Sequence, residues 1–125
     1  MTNDELTHKV IGFAIDIHKK LGPGLYENVY KDCLAYKLNN AGIKFEKEKS
    51  ISINFDGLIL ERGYRVDLLI EEKIVLELKS IETLSDIHLT QMITYLKLGK
   101  FPLGLILNFN VNLMKDGIRR VINSY

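Results

Sequence analysis

The sequence contains few of the residues that brace small secreted domains. Cys33 is the one cysteine among 125 residues, so no disulfide can form within the chain. Its neighbours Leu34 and Ala35 favour an inert thiol, half-buried in a helix, over a reactive one. The lack of disulfides favours a reducing compartment, and we expect a cytoplasmic protein.

Long apolar runs are also missing. The most apolar late stretch, Leu103 to Leu107, is far too short to cross a membrane. The first ten residues, MTNDELTHKV, carry acidic side chains and no apolar run, so we do not expect a signal peptide. No membrane partner is therefore expected.

An excess of charge of either sign is absent as well. Seventeen basic residues nearly cancel sixteen acidic ones, for a formal net charge of +1. This balance neither requires nor excludes a nucleic-acid partner, because phosphate binding depends on a local basic patch. The sequence also lacks a helix-turn-helix or zinc-finger pattern that would indicate a target.

The residues that are present suit one folded domain. Hydrophobic residues make up 46% of the chain and charged residues 26%, so a chain of this length can bury a core. We expect a single domain over residues 1–125.

Three segments have helical spacing of their apolar residues. The first begins near Asp4 and ends before the Gly22-Pro23-Gly24 break, and the second runs from about Leu25 to Asn40. Together they predict an N-terminal helical hairpin. The second helix is expected to bury Tyr26, Val29, Cys33 and Leu34, and a third helix is expected from about Ser85 to Leu98.

Between and after the helices the apolar period changes to two. Alternation from Ile43 to Phe55 predicts a strand, Asp56-Gly57 a hairpin turn, and Leu58 to Leu60 the return. Gly63 is expected to interrupt the chain before further strands at 65–70, 74–79 and 103–108, with a possible edge strand at 118–122. This order predicts an α/β fold of the mixed α+β kind, a mixed sheet packed against helices.

The segment from Arg65 to Lys79 has a pattern that fixes its pairing. If 71–73 form a short loop, apolar residues face one another: Val66 and Leu78, Leu68 and Leu76, Ile70 and Ile74. A slip of one residue would mix the two faces, so this register is favoured. It places Asp67 opposite Glu77, with β-carbons roughly 5 Å apart, and puts Lys79 on the same face.

Two opposed carboxylates repel each other and need compensation. A divalent cation such as Mg²⁺ accepts carboxylate oxygens, water and phosphate as ligands, and Lys79 beside it could orient a water or neutralise a phosphoryl oxygen. The alternative is a solvated sheet face on which Lys79 and Arg65 neutralise the acids. Spacing alone leaves both open.

The motifs resemble a known family. Asp67 followed by Glu77-Leu78-Lys79 resembles the signature of the PD-(D/E)XK nuclease superfamily, and Gly24-Leu-Tyr-Glu27-Asn-Val-Tyr30 resembles the motif that names its GxxExxY group. The resemblance extends over roughly residues 8 to 122. Val66 stands where the family loosely has a proline before the aspartate.

This resemblance implies a restriction-endonuclease-like fold with a central mixed four-stranded sheet flanked by helices. It implies metal ligation by Asp67, Glu77 and Glu27, with Lys79 as the catalytic lysine. Gln91 lies on the helix where the superfamily often has a glutamine near the site, with Tyr95 one turn further on. Helix-dipole pairing of Glu27 and surface packing of Gln91 are the plainer alternatives.

The resemblance favours a nuclease that hydrolyses phosphodiester bonds in DNA or RNA with Mg²⁺ (or Mn²⁺). Five lysines could guide the nucleic-acid backbone: Lys19, Lys20, Lys44, Lys47 and Lys49. The alternative is a non-catalytic module, binding nucleic acid or protein, that retains a nuclease-like site. A homodimer is left open. His18 and Tyr30 are expected to be structural.

Overall fold

A computed structural model describes residues 1–124 as three α-helices and one five-stranded sheet. The elements in chain order are α1 (Asn3–Leu21), α2 (Glu27–Asn40), β1 (Phe45–Phe55), β2 (Leu58–Ile70), β3 (Ile74–Lys79), α3 (Asp86–Gly99), β4 (Leu103–Asn108), a short 3-10 helix (Met114–Gly117) and β5 (Ile118–Ile122).

The strands lie side by side in chain order, from β1 to β5. Only β3 and β4 are parallel, because α3 carries the chain back across the sheet between them. The other neighbours are antiparallel. The four-stranded sheet that the resemblance implies is wrong, because the expected edge strand Ile118–Ile122 forms and pairs with Leu103–Leu107 of β4 as a fifth strand.

Helices cover both faces of this sheet. Helices α1 and α2 pack on one face, where Tyr30, Leu34 and Leu76 belong to a continuous buried cluster. Helix α3 covers the other face with a smaller cluster: Val66, Leu69, Val75, Met92, Leu96 and Ile106. The strands of the middle of the sheet therefore have apolar residues on both sides, as sequence runs such as Leu103–Leu107 suggest.

The helix boundaries follow local capping chemistry. The Thr2 hydroxyl accepts a hydrogen bond from the Glu5 amide, and the Glu5 carboxylate accepts one from the Thr2 amide, each at 3.1 Å. This reciprocal pair satisfies two amides at the start of α1. The predicted helices agree with α1, α2 and α3 to within about two residues.

Two predictions about these elements are wrong. Gly63 does not interrupt the chain, because β2 continues through it and accommodates it with a shift in register opposite Ile51 and Ile53. The buried stripe of α2 is also rotated from the predicted one. Tyr26 is 87% exposed, and the buried residues are Tyr30, Lys31, Leu34 and Leu38.

None of the helices in residues 1–124 is both long and apolar enough to span a membrane.

Candidate active site

The hairpin of β2 and β3 has the register that the sequence predicts. Leu68 pairs with Leu76 and Ile70 with Ile74. The turn between them is closed by two residues with positive φ, Glu71 at 52° and Glu72 at 58°. Backbone in this left-handed region reverses the chain tightly, which fixes the pairing of the two strands.

The predicted facing of Val66 and Leu78 does not occur. Val66 packs in the cluster under α3, whereas Leu78 packs on the opposite face under α1 and α2. The reason lies at Asp67, whose carboxylate Oδ2 accepts a hydrogen bond from the Leu78 amide at 2.8 Å. A side chain thus takes the bond that a regular ladder would give to the main chain.

Asp67 and Glu77 nevertheless lie together, as the sequence predicts. The Asp67 side chain is 18% exposed, and Glu77 as a residue is 7% exposed. Burial, the charge of Asp67 and a hydrogen bond with it together raise the pKa of the Glu77 carboxyl to about 9, against an opposing effect of Lys79. The two carboxyl groups are therefore close enough to interact strongly.

The Glu77 carboxyl also has an unsatisfied atom. Its Oε1 is buried and has no hydrogen-bond partner among the described residues. An unpartnered buried oxygen beside a second carboxylate is costly unless a cation or a proton compensates it. Two oxygen donors of this kind fit a hard divalent cation.

The two basic residues that could neutralise these acids behave differently. Lys79, at the end of β3, lies near enough to Glu77 for its charge to lower the pKa of that carboxyl, but it forms none of the ion pairs seen in residues 1–124. Arg65 pairs with Glu48 instead, at 3.9 Å. The alternative in which Lys79 and Arg65 neutralise Asp67 and Glu77 through salt bridges on a solvated sheet face is therefore not observed.

A lysine that the sequence analysis did not single out pairs with Asp67. The Lys31 ammonium, on α2, lies 3.3 Å from Asp67 Oδ1 and 3.5 Å from Glu48 Oε1. Its side chain is only 6% exposed. The signal in the sequence was its position beside Tyr30 and three residues before Leu34, on the helix face that proves to be buried.

Glu27 lies at the start of α2. It lines a shallow polar depression with Asn28, Ser80 and Asn110. The Ser80 hydroxyl donates to the Leu25 carbonyl at 2.6 Å, which joins this turn to the end of β3. In residues 1–124 no three acidic, histidine or cysteine side chains are grouped closely enough to hold a metal ion, so Glu27 does not complete a three-residue metal site with Asp67 and Glu77.

The two candidates on α3, Gln91 and Tyr95, differ in their exposure. Gln91 is exposed, whereas Tyr95 is partly buried and stacks on Tyr64 with ring centroids 4.4 Å apart. Burial raises the pKa of the Tyr95 hydroxyl, and the charges of Glu77 and Asp67 raise it further. The charges of both carboxyl groups thus act on Tyr95, and Gln91, one turn earlier on the same helix, is exposed to solvent.

His18 and Tyr30 have structural partners, as expected. His18 is buried, and its Nε2 lies 2.7 Å from the Val111 carbonyl oxygen. The Tyr30 hydroxyl donates to the Gly22 carbonyl at 2.7 Å and accepts from the Leu25 amide at 3.0 Å. The tyrosine of the Gly24–Tyr30 motif thus holds the turn that precedes α2.

A second residue missed in the sequence is Asn108, at the end of β4. Its buried amide group donates to the Ile81 carbonyl at 3.0 Å and accepts from the Ile81 amide at 3.1 Å. The Lys79 carbonyl accepts a hydrogen bond from the Phe109 amide at 2.9 Å. These bonds fix the chain that leaves β3 next to Lys79.

Comparison with known proteins adds one positive result. The sequence model of the PD-(D/E)XK nuclease superfamily matches residues 4–121. No curated protein and no solved structure matches the chain.

Proposed function

The chain belongs to the PD-(D/E)XK nuclease superfamily, and from that membership and the carboxylate pair we propose that it is a metal-dependent nuclease. The observation that carries the proposal is the buried, unpartnered Oε1 of Glu77 beside Asp67. Burying two interacting carboxyl groups lowers the stability of a protein. Such a pair is therefore expected where it serves a function.

Asp67 and Glu77 are the proposed ligands of Mg²⁺ or Mn²⁺, ions that PD-(D/E)XK nucleases generally use. The bound cation would polarise the scissile phosphate and lower the pKa of a coordinated water. From the end of β3, Lys79 would position that water and neutralise charge on a phosphoryl oxygen. The pairing at Asp67 and the hydrogen bonds of Asn108 support these roles, because they hold the chain on both sides of Lys79.

Glu27 and Gln91 enter the proposal as residues that approach the site only when substrate is bound. The position of Glu27 supports its inclusion, because it lines the same depression as Ser80, whose hydroxyl bonds to the turn before α2. Gln91 lies one turn before Tyr95 on α3 and has an exposed side chain free to meet a ligand.

Nucleic acid is the proposed substrate, DNA or RNA. The lysines proposed to guide its backbone are not equally available. Lys20 pairs with Asp16, Lys47 with Asp32 and Lys49 with Glu46. Lys19 and Lys44 are exposed and take part in none of the ion pairs of residues 1–124, so they are the better candidates for phosphate contacts.

Within the superfamily, the Gly24–Tyr30 segment supports placement in the GxxExxY group. Its glycine has φ of 94° and its tyrosine is fully buried, so both have a structural reason to be there. A single domain over residues 1–125, a cytoplasmic location and the choice between monomer and homodimer stay predictions.

The proposal is tested by cleavage assays on mixed DNA and RNA substrates with Mg²⁺, with Mn²⁺ and with chelator. Cleavage should need the metal. It should fall at least a hundredfold in Glu77→Ala and in Lys79→Ala, since groups that act on a reacting phosphate contribute factors of about this size. Lys73→Ala, in the loop of the same hairpin, is the matched control and should cleave like the parent.

Cleavage that survives in both site variants would assign the activity to a contaminant or to another site. Absence of cleavage on every substrate, with nucleic-acid or protein binding retained, would favour the non-catalytic module instead. The observation on the side of that alternative is the ion pair between Lys31 and Asp67, which already satisfies one member of the site.

A further inference from the structure

The buried ammonium of Lys31 has no role in the proposed reaction, yet it is the best-protected charge near the site. Its side chain is 6% exposed, and it lies between two carboxylates, 3.3 Å from Asp67 and 3.5 Å from Glu48. A charge removed from water to this extent is tolerated only when it is paired.

The partners of Lys31 are held in place by the fold. Lys31 follows Tyr30, which is itself fixed to the turn before α2 by two hydrogen bonds. Glu48 lies within β1 but has φ of 52°, between the pairs that Lys47 and Lys49 form with β2. A non-glycine residue in the left-handed region is strained. This strain occurs at the residue whose carboxylate pairs with Lys31.

The contacts of Asp67 show what Lys31 does there. One carboxylate oxygen of Asp67 faces the Lys31 ammonium, and the other accepts a hydrogen bond from the Leu78 amide. Both oxygens are thereby oriented, whereas the neighbouring Glu77 has an oxygen without a hydrogen-bond partner in the described part of the chain. The positive charge that faces Asp67 comes from Lys31 on α2, whereas the positive charge that acts on Glu77 is that of Lys79.

We propose that Lys31 is a positioning residue whose ammonium and the divalent cation are alternative counter-ions of Asp67. The proposal rests on the metal-binding part of the proposed function. Lys31 holds Asp67 in place when no cation is bound, and it opposes cation binding because a like charge is then close to the ion. The affinity for the cation is set by this competition.

Replacing Lys31 with the uncharged methionine should therefore have two opposite effects. In chelator, the variant should unfold at lower denaturant concentration than the parent, because Asp67 loses its counter-ion. With Mn²⁺ as the only added ligand, its dissociation constant should fall at least about tenfold, since a unit charge a few ångströms from the ion is strongly felt in a partly buried site. Mn²⁺ should thus recover the stability lost in chelator.

Isothermal titration of Mn²⁺ into the parent and the variants, with denaturant unfolding in chelator, tests both effects. Lys31→Arg keeps the charge and should bind Mn²⁺ like the parent. Lys47→Met removes the same side chain from an exposed pair with Asp32, and it should leave the Mn²⁺ affinity unchanged.

The outcomes separate this inference from the proposed function. A parent that binds Mn²⁺, with equal or weaker binding in Lys31→Met, overturns the inference and leaves the metal site intact. A parent that binds no Mn²⁺, with binding gained in Lys31→Met, supports the inference and counts against metal-dependent activity of the natural chain. No binding in either overturns both. If Lys31→Met is unfolded in chelator, refolding with Mn²⁺ supports the inference, and failure to refold overturns it.

Discussion

At the scale of single residues, the two carboxyl groups of the site differ through their surroundings and not through their chemistry. Asp67 has a lysine on one oxygen and a backbone amide on the other. Glu77, its neighbour on β3, has a buried oxygen with no hydrogen-bond partner in residues 1–124. The Asp67 carboxylate is therefore held in a fixed orientation, and Glu77 is the group whose charge depends on what binds beside it.

The raised pKa of Glu77 predicts how stability changes with pH in the absence of metal. Its pKa is about 9 in the folded chain and near 4.5 when unfolded, so the folded state holds the proton more tightly. Its contribution is fully present below pH 4.5 and is lost as the pH rises towards 9. The free energy of unfolding should fall across this window by up to about 1.4 kcal/mol per pH unit.

Urea unfolding in chelator between pH 5.5 and 8.5 measures this slope. Glu77→Gln keeps the shape of the side chain and removes the titration, so its stability should be flatter with pH and should exceed that of the parent at pH 8.5. Parallel curves for the two proteins would show that Glu77 does not titrate in this window.

The residues of the site were predictable from sequence to the extent that strand pairing governs them. The register of Leu68 with Leu76 was enough to bring Asp67 to Glu77. Lys31 could not be found in this way, because its role depends on which face of α2 packs on the sheet. The sequence favoured the face with Tyr26 and Val29, both of which are exposed.

At the scale of elements, the turn between α1 and α2 determines where the start of α2 lies. The turn has positive φ at Gly22 (74°) and Gly24 (94°), where a side chain would be strained. Tyr30 then spans the turn with two hydrogen bonds, and its ring stacks on Phe109 at 4.3 Å between centroids. The start of α2, with Lys31 and Glu27 on it, is thereby tied to the end of β4.

Removing only the hydroxyl of Tyr30 should measure the strength of this join. Tyr30→Phe leaves the Gly22 carbonyl and the Leu25 amide without that partner, and it should lower the free energy of unfolding by about 1–3 kcal/mol. Tyr26→Phe, at an 87% exposed position, is the matched control and should change stability by less than about 0.5 kcal/mol. Urea denaturation of both gives the comparison. A stable Tyr30→Phe that has lost activity would instead make Tyr30 a residue of the reaction.

Elements with a clear apolar run or turn motif were predictable, and those that depend on a local irregularity were not. The strand from Leu103 to Asn108 and the turn at Asp56-Gly57 follow the sequence directly. Gly63 was expected to end a strand. It is instead accommodated within β2, where an added β-carbon would lie 2.3 Å from the Ile53 side chain. Periodicity does not report such a close approach of two strands.

At the scale of the whole molecule, the site lies on β2 and β3 between residues that pack on opposite faces of the sheet. Val66 packs under α3 and Leu68 under α1 and α2, so Asp67 stands between the two clusters. It reaches Lys31 on α2, and its charge is felt by Tyr95 on α3. A cation bound here would therefore stabilise the packing of helices on both sides, and its binding should be visible in the unfolding of the entire chain.

Thermal melts in chelator and in millimolar Mg²⁺ test this coupling without any substrate. A ligand that binds only the folded chain stabilises it by mass action, by about 2.7 kcal/mol at a hundredfold excess over the dissociation constant. The parent should gain melting temperature with Mg²⁺. Glu77→Gln should start at an equal or higher temperature in chelator, because its neutral side chain needs no proton in order to be buried, and should gain little from Mg²⁺. Glu61→Gln, an exposed acid on β2, should behave like the parent. A parent unaffected by Mg²⁺, together with a Glu77→Gln variant less stable in chelator, would mean that the carboxylate pair is held by protein contacts alone and binds no cation.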